Sequence, residues 1–284
     1  MSSVSKWIVG ARPRTLPAAI APVLVATAYA GDQWNPWRAL HALIVSLALQ
    51  IGVNYANDYS DGIRGTDDSR IGPTRLTVSG LAQPNQVKNA AAISFLVAAI
   101  FGLSLASVTT WWLILVGAVA IAAAWGYTGG KNPYGYKGLG EISVFLFFGV
   151  VATVGTYFVQ TEEINLQILI VSIPMGSLAC AILAINNMRD RAQDEIVGKK
   201  TLAVRLGDRG ARRLYIALLI SAHIFALLTF KPAVLLTLLT VPLTWSLARG
   251  VAGGISGAQL IPYLAKTGKL QLTFAALFAL GLAF

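Results

Sequence analysis

The chain has 284 residues, 56% of them hydrophobic and only 12% charged, with a mean hydropathy of +0.66; an average soluble protein is about 45–50% apolar. This composition excludes an ordinary soluble domain and points to one integral membrane domain over residues 1–284. A formal net charge of +10 could mean a nucleic-acid partner in a soluble protein, but here the basic residues lie between apolar runs, where they set topology, and no nucleic acid is expected.

Lys6, Arg12 and Arg14, an apolar run from Leu16 and then Ala28-Tyr29-Ala30 imitate a secretory signal and its cleavage site. Pro13, Pro17 and Pro22 interrupt the run and further apolar stretches follow, so it reads as a retained, bent first helix. Crossing roughly 30 Å of hydrocarbon takes about 20 apolar residues. Nine stretches approach that length: 15–31, 39–57, 89–107, 111–127, 141–160, 166–187, 212–229, 232–248 and 268–284. The expected fold is therefore an all-α membrane protein with nine transmembrane helices.

With the N-terminus cytoplasmic, this map places 20 of the 22 Lys and Arg residues on the cytoplasmic side, leaving only Arg38 and Lys231 outside. That asymmetry follows the positive-inside rule. Trp34, Trp37, Trp111 and Trp112 mark the outer ends as an aromatic belt, and the C-terminus is expected outside. The lone Cys180 cannot form an intrachain disulfide. His41 and His223 lie in or beside apolar spans without a third ligand, which favours packing over metal binding.

The second span runs into Asn54–Asp68, NYANDYSDGIRGTDD, with Asp58, Asp61, Asp67 and Asp68 within eleven residues. On a helix Asn57 and Asp61 share a face. Acids at a helix C-terminus meet the negative end of the macrodipole, so a cation is expected there. After the sixth span the same pattern returns: Asn186, Asp190 and Asp194 are spaced i, i+4, i+8, and Asn186-x-x-x-Asp190 repeats Asn57-x-x-x-Asp61 129 residues on. Two pseudo-equivalent four-helix halves with facing acidic ends are the expected arrangement.

Facing carboxylates, each cluster with an amide oxygen and followed by Lys and Arg, suit a hard divalent cation that holds a polyanion. Mg²⁺ is commonly held by one or two carboxylates plus substrate phosphates. Asp61, Asp67, Asp190 and Asp194 are the candidate metal ligands, although Asp68 could replace Asp67. Arg75 and Lys199 are the candidate diphosphate ligands, with Asn57 and Asn186 beside them. Asp58 is equally readable as a backbone-bonding residue. An amphiphile with a diphosphate head and a lipid tail fits such a site at a membrane surface. A transporter, the reading from another class, would carry its acids near the bilayer midplane, whereas these lie at the cytoplasmic edge.

NDYSDGIRGTDD and NNMRDRAQDEIVGKKTLAVRLG resemble the two Asp-rich signatures of the UbiA superfamily of intramembrane prenyltransferases. Gly65-Thr66-Asp67, the opening RPRTLPAAIAPVLVATA and the run YTGGKNPYGYKGLGE are similar to its branch acting on 1,4-dihydroxy-2-naphthoate. The resemblance spans nearly the whole chain. It implies a UbiA-like bundle in the cell membrane with a cytoplasmic active site, Mg²⁺ as cofactor, and polyprenyl diphosphate and the naphthoate as substrates. It also favours Asp67 as the ligand and assigns Tyr127 and Lys131 to the Tyr/Lys motif that follows the fourth helix. The implied reaction transfers the prenyl group, with loss of CO₂ and pyrophosphate, to give demethylmenaquinone in menaquinone synthesis. Another aromatic acceptor, such as 4-hydroxybenzoate or homogentisate, is the alternative.

Such chemistry needs charge stabilisation on the leaving diphosphate, so Asp61 and Asp190 are catalytic candidates. It also needs a dry cavity and aromatic faces for the allylic cation. Tyr55, Tyr59, Tyr127 and Phe145 or Phe148 are candidates for that wall, and Lys131 or Arg14 for the cation that meets the acceptor's carboxylate.

Overall fold

A computed structural model describes residues 3–66 and 72–284. The described residues form ten helices, besides short helical turns: α1 Ser3–Ala11, α2 Pro17–Tyr29, α3 Pro36–Ile63, α4 Pro84–Val108, α5 Trp112–Gly126, α6 Gly140–Thr161, α7 Leu166–Ile196, α8 Leu202–Leu227, α9 Pro232–Ala252 and α10 Ile261–Ala283. Each apolar stretch of the sequence lies on one of α2 to α10. Among the described residues, α3, α4, α6, α7, α8 and α9 are long and apolar enough to cross a membrane, while α2 and α5 are shorter apolar helices.

Local chemistry sets the helix starts. Pro36 and Pro84 occupy first-turn positions that need no N–H. The Asn35 carboxamide accepts from the amides of Trp37 and Arg38 at 3.0 and 3.2 Å, and Asn165 caps α7 through the Ile168 amide at 2.9 Å.

Several boundaries depart from the sequence reading, and α7 runs on to Ile196 rather than ending at 187. A separate helix, α1, precedes the first span, because Trp7 packs on Tyr55 of α3. Residues 202–211, which the seventh apolar stretch leaves out, are helical, since α8 starts at Leu202 and tolerates one break at Gly207, whose φ of 66° a glycine adopts without strain. The last helix starts at Ile261 rather than 268.

α7 is the central element, its length buried against α2, α6, α8 and α10. Lipid is as apolar as leucine, so close packing rather than water exclusion holds such helices together. At the α6–α7 crossing a Cβ on Gly149 would come within 2.6 Å of the Gly176 Cα. The backbones therefore touch. On the α6 side this contact falls in the π-helical turn Phe145–Val151. α3 is the second axis, packed on α1, α2, α4 and α5.

Candidate active site

One face of α3 opens onto a cavity of about 470 Å³. Ala42, Ser46, Leu49, Val53 and Asn57 recur there every three or four residues, a stripe of four turns and roughly 22 Å along the helix. Gly102 of α4, Gly117 of α5 and Phe147, Phe148 and Val151 of α6 add walls, with Ile182 and Asn186 of α7. Most of the lining is apolar. The polar groups gather toward the α3 C-terminus, as Arg12, Asn54, Asn57, Tyr127, Tyr134 and Asn186. α5 rests on α3 and α4 but is not packed along α6, which leaves the cavity bounded loosely on that side.

Both asparagine–aspartate patterns come to this polar end. Asn57 and Asn186 line the same cavity, and their aspartates follow one turn later. Asp61, 4% exposed, is gripped by three groups from other elements. The Tyr136 hydroxyl donates to its Oδ1 at 2.5 Å, while Lys199 Nζ and Arg75 Nη2 stand 3.3 and 3.7 Å from Oδ2. The Lys199 ammonium also lies 4.7 Å from the centre of the Tyr136 ring. These cations offset the unfavourable position of an acid at a helix C-terminus. Burial and the charge of Asp61 push the Tyr136 phenol above its ordinary value, so it stays a neutral donor.

The second cluster is organised differently. Arg189 holds Asp190 bidentately at 2.7 Å through both nitrogens. Asp194 is buried, and its carbonyl accepts the Lys199 amide at 2.7 Å, while the Lys200 amide donates to the Tyr136 carbonyl at 2.9 Å. The turn after α7 thereby delivers Lys199 to Asp61. The Tyr127 phenol lies within electrostatic reach of both Asp61 and Asp194. Glycines on either side cradle it: a Cβ on Gly135 would meet the Tyr127 ring at 3.1 Å, and one on Gly140 its hydroxyl at 2.9 Å.

The remaining sequence candidates divide. The Asn57 side-chain oxygen Oδ1 accepts from Thr128 Oγ1 at 2.7 Å. Asp58 is a backbone clamp, accepting the amides of Leu76 and Thr77 at 2.8 and 3.0 Å. Lys131 is exposed and does not line the cavity. Arg14, also exposed, lines a separate shallow groove with Lys269 of α10. Tyr59 lies beside Trp125 and Lys88, and Tyr55 beneath Trp7. Neither tyrosine lines the cavity, because they project from other faces of α3. Of the phenylalanines, Phe148 lines the cavity while Phe145 packs over Gly176. Asp67 and Asp68 fall outside the described residues.

The sequence reading passed over Tyr134, Tyr136 and Arg12. The tyrosines lie in the run YTGGKNPYGYKGLGE, whose aromatic spacing was the available signal; Arg12 is two residues from the candidate Arg14.

Among the described residues no three acidic, His or Cys side chains converge into a ligand set. The donors present, two separate carboxylate clusters with flanking amide oxygens, are all hard oxygens, and they suit a cation that takes further ligands from a bound phosphate.

The profile of the UbiA prenyltransferase family matches residues 19–281. A "1,4-dihydroxy-2-naphthoate octaprenyltransferase" of Mycobacterium tuberculosis (strain ATCC 25618 / H37Rv) is 49% identical, covering 100% of this chain and 99% of the relative. One of the same name from Escherichia coli (strain K12) is 38% identical over 99% and 96% of the two chains. Among solved structures, a UbiA homolog from Archaeoglobus fulgidus bound to GPP and Mg²⁺ superposes with a TM-score of 0.72 at 15% identity, covering 98% of this chain and 99% of that one.

Proposed function

The chain belongs to the UbiA prenyltransferase family, and on that premise we propose that it transfers a polyprenyl group from its diphosphate to 1,4-dihydroxy-2-naphthoate. CO₂ and pyrophosphate leave, and the quinol form of demethylmenaquinone is produced for menaquinone synthesis. The observation that carries this reading is the 3.3 Å pair between Asp61 and Lys199. It joins the two acidic signatures at the polar end of a cavity whose walls suit a lipid tail.

In the proposed mechanism the prenyl tail lies along the apolar stripe of α3, entering beside the loosely bounded face of α5. Its diphosphate lies beyond Asn57 and Asn186, where Arg75 and Lys199 take phosphate oxygens, Arg in a fork and Lys as a point charge. Asp61, Asp190 and Asp194, with Asp67, would hold Mg²⁺, which when bound supplies a Lewis acid to the leaving diphosphate. The allylic carbon–oxygen bond breaks with its electron pair going to the diphosphate. Tyr127, as a neutral phenol, donates to that developing charge in this reading, while Tyr136 spends its one proton on Asp61 and keeps that carboxylate oriented. Phe147, Phe148 and Tyr134 present ring faces to the allylic cation, and the apolar walls keep water from it. An electron-rich ring carbon of the naphthoate then attacks, and the carboxyl group leaves as CO₂.

The protein is a multi-pass membrane protein. Nine crossings by α2 to α10, a cytoplasmic N-terminus and active site, and an outward C-terminus in the cell membrane are the topology we assign. The segregation of Lys and Arg supports it. The α3–α4 and α7–α8 pairs, each closely packed, support reading the bundle as two related halves.

The test uses purified protein in detergent with a polyprenyl diphosphate and either 1,4-dihydroxy-2-naphthoate or 4-hydroxybenzoate, with Mg²⁺ or with chelator, read by mass spectrometry. A prenylated naphthoquinol lacking the carboxyl mass, formed only with metal, is expected. Prenylation of the benzoate alone would overturn the acceptor, and turnover that survives chelation would overturn the metal.

A further inference from the structure

An anionic aromatic acceptor inside an apolar cavity needs a counter-charge, and the two lysine and arginine candidates the sequence offers, Lys131 and Arg14, do not line it. Among the described residues that do, Arg12 is the one charged side chain. A charge on such a wall is expensive and marks a functional site by default.

Arg12 is also built into place. It adopts the left-handed region, φ 53° and ψ 70°, between α1 and the turn Pro13–Thr15, a strained conformation for a non-glycine residue that persists only where its surroundings impose it. Those surroundings are specific. Asn54 Nδ2 donates to the Ala11 carbonyl at 2.9 Å and to Thr15 Oγ1 at 3.1 Å, and Gln50 Nε2 donates to Thr15 Oγ1 at 3.0 Å. Thr15 Oγ1 in turn donates to the Arg12 carbonyl at 3.0 Å. The guanidinium itself donates through Nη2 to the Asn54 carbonyl at 3.2 Å. α1 is pinned behind it by the Tyr55 hydroxyl on the Trp7 carbonyl at 2.8 Å and by Lys6 on the Leu81 carbonyl at 3.1 Å.

Resting on the prenyltransferase reading above, we propose that Arg12 binds the carboxylate of the aromatic acceptor and selects an acid over a neutral ring. Position separates this role from diphosphate binding. Asn54, to which the guanidinium is tied, precedes Asp61 by seven residues, about 10 Å of helical rise. That spacing leaves room for a bicyclic ring between a diphosphate at Asp61 and a carboxylate at Arg12. The guanidinium fork matches a carboxylate bidentately.

The experiment measures KM for naphthoate and for polyprenyl diphosphate in the wild type, Arg12→Lys and Arg12→Gln. It also measures inhibition by 1,4-dihydroxynaphthalene, which lacks the carboxyl group. A charge-assisted hydrogen-bonded pair predicts an acceptor KM raised about 10- to 100-fold in Arg12→Gln and less in Arg12→Lys. The donor KM and the inhibition constant of the diol stay within about twofold. A donor KM that rises with the acceptor's, or equal losses for naphthoate and diol, would overturn the assignment. Should both variants fail to fold, wild-type protein decides the matter: a neutral naphthamide analogue that binds as tightly as the acid overturns it, and a loss of about tenfold or more upholds it. Absence of any naphthoate product in the wild type would instead count against the enzyme reading itself.

Discussion

The two acidic signatures read almost alike in sequence and are anchored in opposite ways. Asp61, at the end of α3, is held by residues far away in the chain: Tyr136, Lys199 and Arg75. Asp190, on α7, is held by its own neighbour, Arg189. A shared spacing puts both carboxylates on corresponding helix faces, but the connecting segments decide what meets them. The first signature is thereby the junction of three elements, whereas the Arg189–Asp190 pair of the second joins neighbours on one helix.

Substitutions should separate the two. Asp61→Asn is expected to lower kcat by on the order of 10²–10³-fold, the range seen when one group that stabilises developing charge is removed. It should also destabilise the detergent-solubilised protein by on the order of 3 kcal/mol, because two buried cations lose their carboxylate; thermal unfolding measures this. Asp190→Asn should match the loss of activity with a clearly smaller loss of stability, because the pair it breaks is local and Asp190 is partly exposed. Equal destabilisation by both would break the contrast.

Tyr136→Phe removes one hydrogen bond to a charged acceptor and should cost about tenfold in kcat/KM, with the effect vanishing in an Asp61→Asn background. Asp58→Ala, one turn before Asp61, should cost about 1–3 kcal/mol of stability through the freed amides of Leu76 and Thr77, while Mg²⁺ dependence is retained. Lys131→Ala is expected to change neither substrate's KM by more than about twofold, as for other exposed positions away from a site.

How much was legible follows from the range of each signal. Apolar runs such as 89–107 and 166–187 declare helices because the period and length of a lipid-exposed or buried segment are local properties. The i, i+4 placement of Asn57 with Asp61 is local too. α1 was invisible because nine residues cannot span a membrane, and its docking depends on Tyr55, 48 positions away from Trp7. Tyr136 went unmarked for the same reason, lying 75 positions from the carboxylate it serves. Arg12 and Arg14 differ by two positions, and a left-handed residue at Arg12 separates their destinations, one to the cavity and one to the groove beside α10. Proximity in sequence carries no direction once the backbone departs from a regular period.

The backbone contact between Gly149 and Gly176 has a mechanical consequence. It makes the α6–α7 wall of the cavity stiff, since neither helix can approach or shear past the other without a clash. The opposite wall is more open, because α5 packs chiefly on α3 and α4 and Gly117, where it faces the cavity, has nothing within 4 Å of a would-be Cβ. The nearest room for a bulkier tail lies beside this one short helix, while the α6–α7 side of the chamber is closed by backbone contact.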